Sequence, residues 1–184
     1  IVLNLIGKHN ILNSVAAISV CLNLGIKIKI IKKALLKFTG VQRRMTKIFE
    51  KNNNEFYDDY AHHPTEIYSV LESIKRVANK KKITSVFQPH RYSRVNFLKE
   101  EFSKSFKFSD RVVLCPIYAA GEKIKKKFDL YKFAKMISLN SNVNVIVLKD
   151  EENFKNFFKK NLINNEIIIG MGAGSISNWM RNLK

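Results

Sequence analysis

The strongest constraint on this chain is a repeated alternation of two periods. Short apolar runs at 55–60, 83–87, 111–115, 143–148 and 166–170 read as buried strands. The stretches between them, 64–79, 94–107, 128–137 and 150–160, carry the apolar spacing of helices, and a last helix follows Gly174. Parallel strands need a long crossover, usually a helix. This order therefore predicts an α/β fold: a Rossmann-like, mostly parallel sheet with helices on both faces. Such sheets bind ligands at the carboxyl ends of their strands, so the residues that follow each run are the ones to inspect.

Before the first strand the pattern is helical only. Ile11, Val15, Ile18 and Leu22 form an apolar stripe that Gly25 can terminate, and a second helical pattern runs from Ile28 to Phe38. Thr39-Gly40 and the cluster Asn52 to Asn54 break the pattern, placing a domain boundary near residues 40–44 and dividing the chain into 1–42 and 43–184. Ile1 lies in an apolar stretch with no initiator Met, so the start reads as a cut.

The net charge of +18 would ordinarily suggest nucleic acid or an acidic membrane surface. Its distribution argues otherwise. Residues 1–54 hold 10 Lys/Arg and 1 Asp/Glu, and residues 55–184 hold 23 and 14, so each part contributes +9. The excess is spread along the chain, as expected of solvated surface, and no nucleic-acid partner is expected. No apolar run approaches the ~20 residues that span a bilayer, and no cleavable leader is present, so a cytoplasmic location without membrane insertion is expected. Cys21 and Cys115 have neither metal-ligand nor redox spacing and read as buried thiols.

Three strand ends are chemically loaded. The first is Asp58-Asp59-Tyr60-Ala61-His62-His63-Pro64-Thr65-Glu66. Pro64 suits the first turn of a helix; His63, Thr65 and Glu66 read as capping groups, whereas Asp59, Tyr60 and His62 together exceed what a cap needs. The second, Gln88 to Arg94, places Arg91 and Arg94 three apart, so both can face an anion with bidentate geometry. Lysine supplies most of the surface charge, so arginine at 43, 44, 91 and 94 points to a use for the planar fork. The third runs from Pro116 to Glu122. The turn Gly170-Met171-Gly172-Ala173-Gly174-Ser175 is a weak anion signal alone, and no G-x-x-x-x-G-K-[ST] phosphate loop occurs in the sequence.

In order along nearly the whole chain, Gly7 to Asn13, Gly40-Val41-Gln42-Arg43-Arg44, Asp58 to Glu66, Phe87 to Arg94 and Ala119 to Glu122 closely resemble the Mur ligases. Phe87-Gln88-Pro89-His90-Arg91-Tyr92 points within that family to the branch acting on UDP-N-acetylmuramate. The resemblance implies an ATP- and Mg2+-dependent ligase that activates the lactyl carboxylate of UDP-N-acetylmuramate as an acyl phosphate, which the amine of L-alanine attacks. It implies that Asn13 contacts the adenine, Arg44 the ATP phosphates or ribose, and Asp59 the ribose. Tyr60, His62, His90, Arg91 and Arg94 would line the pocket where L-alanine and the muramyl carboxylate meet. It makes residues 1–42 the last helices of a truncated ATPase domain, leaves room for a homodimer, and puts the phosphate loop and metal ligands outside this chain, which alone should not catalyse. Met45 and Ser175 depart from the family pattern, which has Phe and often Asp there. The alternatives are another ligase of the superfamily, of murein-tripeptide or folylpolyglutamate type, and a basic nucleic-acid-binding α/β domain.

Overall fold

Isoleucine at three successive positions, Ile167, Ile168 and Ile169, makes one strand apolar on both faces, and that strand becomes the middle of the sheet. The computed structural model describes residues 1–5, 8–38, 40–123 and 128–184; Gly7 and Thr39, used above, lie outside them. The chain divides into two units, Ile1–Gln42 and Arg43–Lys184.

The first unit holds the helices α1 (Lys8–Asn23) and α2 (Ile28–Lys37). Only Ser14 and Ile31 are buried among its described residues. The apolar stripe is not covered: Ile11, Val15 and Leu22 are 53%, 54% and 48% exposed. A stripe buries itself only against a partner surface, and two short helices do not enclose one.

The second unit contains β1 (Thr46–Lys51), β2 (Asn54–Asp59), α3 (Pro64–Val77), β3 (Lys82–Phe87), α4 (Tyr92–Phe97), α5 (Lys99–Ser103), β4 (Arg111–Leu114), α6 (Leu130–Ser141), β5 (Asn144–Val147), α7 (Glu151–Asn161), β6 (Glu166–Met171) and α8 (Ile176–Arg181). The strands form one sheet in the order β1-β2-β6-β3-β4-β5, antiparallel at β1–β2 and parallel elsewhere. The mostly parallel α/β sheet therefore stands as expected, with one strand more. β1 escapes the sequence reading because an edge strand with one wet face, Thr-Lys-Ile-Phe-Glu-Lys, has no continuous apolar run. Its available signal was the turn: Asn52 and Asn53 both have positive φ, at 51° and 60°, as a two-residue type I′ hairpin requires. The helical stretch 94–107 also resolves into two short helices, with Leu98 between them.

Alternation along β6 divides the core. Ile167, Ile169 and Met171 join α3, α5 and α6 in one cluster, through Ile67, Leu71, Phe102 and Phe133; Ile168 joins α7 and α8 in the other, through Phe154, Phe158, Ile176 and Met180. Each fully buried Ile or Phe contributes about 1.5–3 kcal/mol. On the second face β6 presents Gly170, and an added Cβ there would lie 2.5 Å from Met180 Cγ, so a hydrogen at this position is what lets α8 lie against the sheet.

Gly170→Ala is expected to lower the unfolding free energy by about 1–3 kcal/mol through overpacking against Met180, measured by chemical denaturation. Unchanged stability would mean that α8 is held at a greater distance.

Candidate active site

β6 arrives last in the sequence yet sits between β2 and β3, and this insertion creates the site. The chain leaves β2 and β3 into α3 and α4 on one face, and leaves β6 into α8 on the other. Neighbouring connections that part to opposite faces open a crevice at the carboxyl ends of the strands. Asp59, Met171 and Phe87 are paired in one row across β2, β6 and β3, so Tyr60, Gly172 and Gln88 emerge side by side.

Two adjacent carboxylates anchor the floor. Asp59 is 1% exposed, its Oδ2 accepts from the Met45 N–H at 2.8 Å and its Oδ1 from the Ala61 N–H at 2.7 Å. These bonds tie the segment before β1 to the loop after β2. Asp58, fully buried, points the other way: its Oδ2 accepts from the Ser177 hydroxyl and, at 3.2 Å, from Arg181 Nη2, both on α8. Its Oδ1 lies 3.7 Å from Arg43 Nε, and neither of these two buried atoms has a hydrogen-bond partner among the described residues. Arg43 also donates to the Gly172 carbonyl and sits 4.7 Å above the Tyr60 ring.

From Tyr60 a file of rings crosses the crevice mouth. Tyr60 and His62 meet edge-on at 5.1 Å, His62 and His90 at 5.9 Å, and His90 stacks on Tyr118 at 5.7 Å. His62 Nδ1 lies 2.8 Å from the Tyr60 carbonyl, which only accepts, so Nδ1 carries the proton and the Nε2 lone pair remains available in the neutral ring. The Glu66 carboxylate accepts from the His62 and His63 N–H groups and caps α3, whose first residue is Pro64. Across from it Arg94 Nη1, on α4, approaches His90 Nδ1 at 3.5 Å, which leaves the His90 proton on Nε2. Desolvation, then the positive charge of Arg94, hold the His90 pKa below the ordinary imidazole value.

The sequence places Arg91 at the entrance, and the structure adds strain there. Its φ is +68°, a left-handed conformation that a long side chain adopts only when its surroundings impose it. The Arg91 N–H donates to the Tyr118 carbonyl and the Tyr118 N–H to the Pro89 carbonyl, stitching the loops after β3 and β4 together. Glu122 completes the seam by accepting from the Ser93 N–H at 3.1 Å and from the Ser93 hydroxyl, bonds that also lower its pKa. The Arg91 side chain is exposed and, like exposed Arg44, has no hydrogen-bond partner among the described residues. Asn13 is exposed on α1, in the other unit.

The glycine turn proves to be a packing device around Gln88. Gly172 has φ +149°, and a Cβ there would meet the Gln88 carbonyl at 2.7 Å; at Gly174 it would meet Gln88 Oε1 at 2.5 Å. Gln88 Oε1 accepts from the Ile176 N–H and Gln88 Nε2 donates to Ser175 Oγ, so the side chain just after β3 caps α8. Gln88, Tyr118 and Glu122 are not site candidates from the sequence alone, and Arg43 is flagged there only for its planar fork. Each lies in a flagged segment, but its use depends on a partner remote in sequence: Arg43 on Gly172, Gln88 on Ser175, Tyr118 on Arg91 and Glu122 on Ser93. Cys115 is buried and burial pushes its thiol pKa up, consistent with an inert packing role.

Residues 43–174 match the family described as Mur ligase, glutamate ligase domain. The chain is 51% identical over 181 residues to the UDP-N-acetylmuramate–L-alanine ligase of Pelagibacter ubique, an alignment that covers 98% of this chain and 39% of that protein. Among solved structures, the UDP-N-acetylmuramate-alanine ligase of Thermotoga maritima superposes with a TM-score of 0.81 at 27% identity, over 98% of this chain and 38% of the other. A murein peptide ligase of Psychrobacter arcticus shares the fold, with a TM-score of 0.73 at 22% identity over 98% of this chain and 37% of the other. The chain thus spans about 39% of the length of a curated relative it matches.

His90 is expected to titrate below the ordinary value of about 6.5 in a proton NMR titration. Any stability it contributes is present above that value and is lost as pH falls through its lowered pKa. Arg94→Ala should move the midpoint upward; a wild-type midpoint at or above the ordinary value would contradict the half-buried, cation-flanked placement. Asp58→Asn should lower the unfolding free energy by about 2–3 kcal/mol, the scale of charge-assisted hydrogen bonds to a buried carboxylate. A loss within about 0.5 kcal/mol would mean that Ser177 and Arg181 do not depend on it.

Proposed function

This chain belongs to the Mur ligase family, and from that premise we propose that it supplies the amino-acid-binding part of an ATP-dependent UDP-N-acetylmuramate:L-alanine ligase acting in the cytoplasm in peptidoglycan precursor synthesis. The observation that carries this reading is the file His62, His90 and Tyr118 at the switch-point crevice, with Arg91 and Arg94 beside it.

When bound in the complete enzyme, ATP supplies the activation of the lactyl carboxylate as an acyl phosphate. The residues of this chain then have positioning roles. Arg91 and Arg94 offer guanidinium forks to the carboxylate of L-alanine. The His62 Nε2 lone pair accepts a hydrogen bond from the incoming amine, and Nε2–H of His90 donates to an oxygen at the reacting centre. A neutral His90 does so without repelling a cationic amine. Tyr60, held under Arg43, forms the wall next to His62. Asp59 acts through the backbone of Met45 and Ala61, while Arg44 and Asn13 are the groups assigned to the nucleotide. Exposed, partnerless Arg44 suits a phosphate. Among the described residues no cluster of three or more His, Cys, Asp or Glu is arranged to hold a metal ion.

Ligation is tested by phosphate release from ATP with UDP-N-acetylmuramate and L-alanine. Joined to the remaining length that its relatives have, the chain should ligate; residues 1–184 alone should not, and activity from them alone would overturn the division of labour. In the extended enzyme Arg91→Ala and His62→Ala should each raise the KM for L-alanine about tenfold or more, the worth of one charge-assisted hydrogen bond. Unchanged KM values for both L-alanine and the muramyl nucleotide would remove these residues from the pocket.

A further inference from the structure

Four arginines stand around the crevice, and one of them, Arg43, commits its guanidinium to the protein itself. Nη2 donates to the Gly172 carbonyl after β6, Nε lies 3.7 Å from Oδ1 of fully buried Asp58, and the flat face covers the Tyr60 ring at 4.7 Å from its centre. The Arg43 carbonyl in turn accepts from the Tyr60 N–H at 2.7 Å. Tyr60 is thus held by one residue at both its backbone and its ring. A carbonyl, a carboxylate and a ring in three directions call for a planar fork; a lysine ammonium offers a point charge and no face.

The backbone here is strained as well. Arg43 and Met45 both have positive φ, at 59° and 50°, and they flank Arg44. Side chains of this size hold the left-handed conformation only where their surroundings impose it. On one flank the imposing contacts are those of the Arg43 side chain; on the other the Met45 N–H donates to Asp59 Oδ2 at 2.8 Å. The turn is pinned on both flanks, and exposed Arg44 stands between the pins. Arg43 is therefore joined to two groups with different assignments in the crevice: Tyr60, which meets His62 edge-on at 5.1 Å, and Arg44, its own neighbour in the chain.

We propose that Arg43 is a positioning residue of the ligation reaction, a role that rests on the assignment of the crevice to ligation. It sets the Tyr60 ring against His62 on the amino-acid side and holds the turn that presents Arg44 on the nucleotide side. It touches no substrate itself.

In the extended enzyme Arg43→Lys keeps the charge beside Asp58 and removes the planar fork. It should raise the KM for L-alanine and the KM for ATP about fivefold each, the worth of one ordinary hydrogen bond. Double variants should separate the two effects. Added to Tyr60→Ala, Arg43→Lys should leave the KM for L-alanine where Tyr60→Ala alone puts it, while still raising that for ATP; added to Arg44→Ala, it should do the reverse. A role in folding alone would reduce the active fraction, and so kcat, with both KM values unchanged. That result would overturn the proposal, as would undiminished KM effects in both double variants. If Tyr60→Ala and Arg44→Ala themselves leave both KM values unchanged, the crevice assignment fails and the proposal with it; raised values for those two with none for Arg43→Lys sink the proposal alone. The wild-type 184-residue chain supplies a test that no variant's folding can obscure. The Tyr60 ring should shift the Arg43 δ protons upfield in the NMR spectrum, and the buried Arg43 Nε–H should exchange slowly with solvent. Unshifted δ protons with a rapidly exchanging Nε–H would rule the positioning role out.

Discussion

Two neighbouring buried carboxylates at the end of one strand hold this site together. Successive side chains on a strand point to opposite faces, so Asp58 and Asp59 cannot serve the same neighbour. Asp58 reaches α8 and Arg43 behind the sheet; Asp59 takes the Met45 and Ala61 N–H groups in front of it. Between them they bind the residues before β1, the loop after β2 and the helix after β6. A buried charge is costly unless its lone pairs are met by hydrogen bonds, so each carboxylate demands this company.

The remaining geometry follows from where β6 is inserted. Its isoleucines are apolar on both faces and suit only a central position, which places β2 and β3 on either side and brings their loops across one crevice. The glycines after β6 then keep backbone close enough for Gln88 to cap α8. The backbone seam from Arg91 to Tyr118 and the Glu122 cap do the same on the β3–β4 side. A file of rings with arginines on its flank is what lies at the mouth.

The basic surplus has a different character at the two ends of the sheet. At the crevice it is arginine placed over rings and beside an imidazole, where planarity and direction count. At the amino end it is exposed lysine, Lys51, Lys159 and Lys184, where diffuse charge and a flexible stem suffice. The same net charge of +18 therefore says little until its geometry is known.

The sequence by itself determined the α/β alternation, the loops that carry chemistry and the family, because hydrophobic period and short motifs are local properties of the chain. It determined the start of α3 as well, since Pro64 and Glu66 act on their own helix. Tertiary structure alone decided the rest. It placed β6 between β2 and β3, and it gave Asp59 the Met45 and Ala61 N–H groups as hydrogen-bond donors. It paired Arg43 with Gly172 across 129 residues of sequence. It also added β1, whose pairing with β2 shows only once an edge is available to accept it. In each case the deciding partner is remote in sequence, and only the packed sheet determines which groups are buried together and which must satisfy one another's hydrogen bonds.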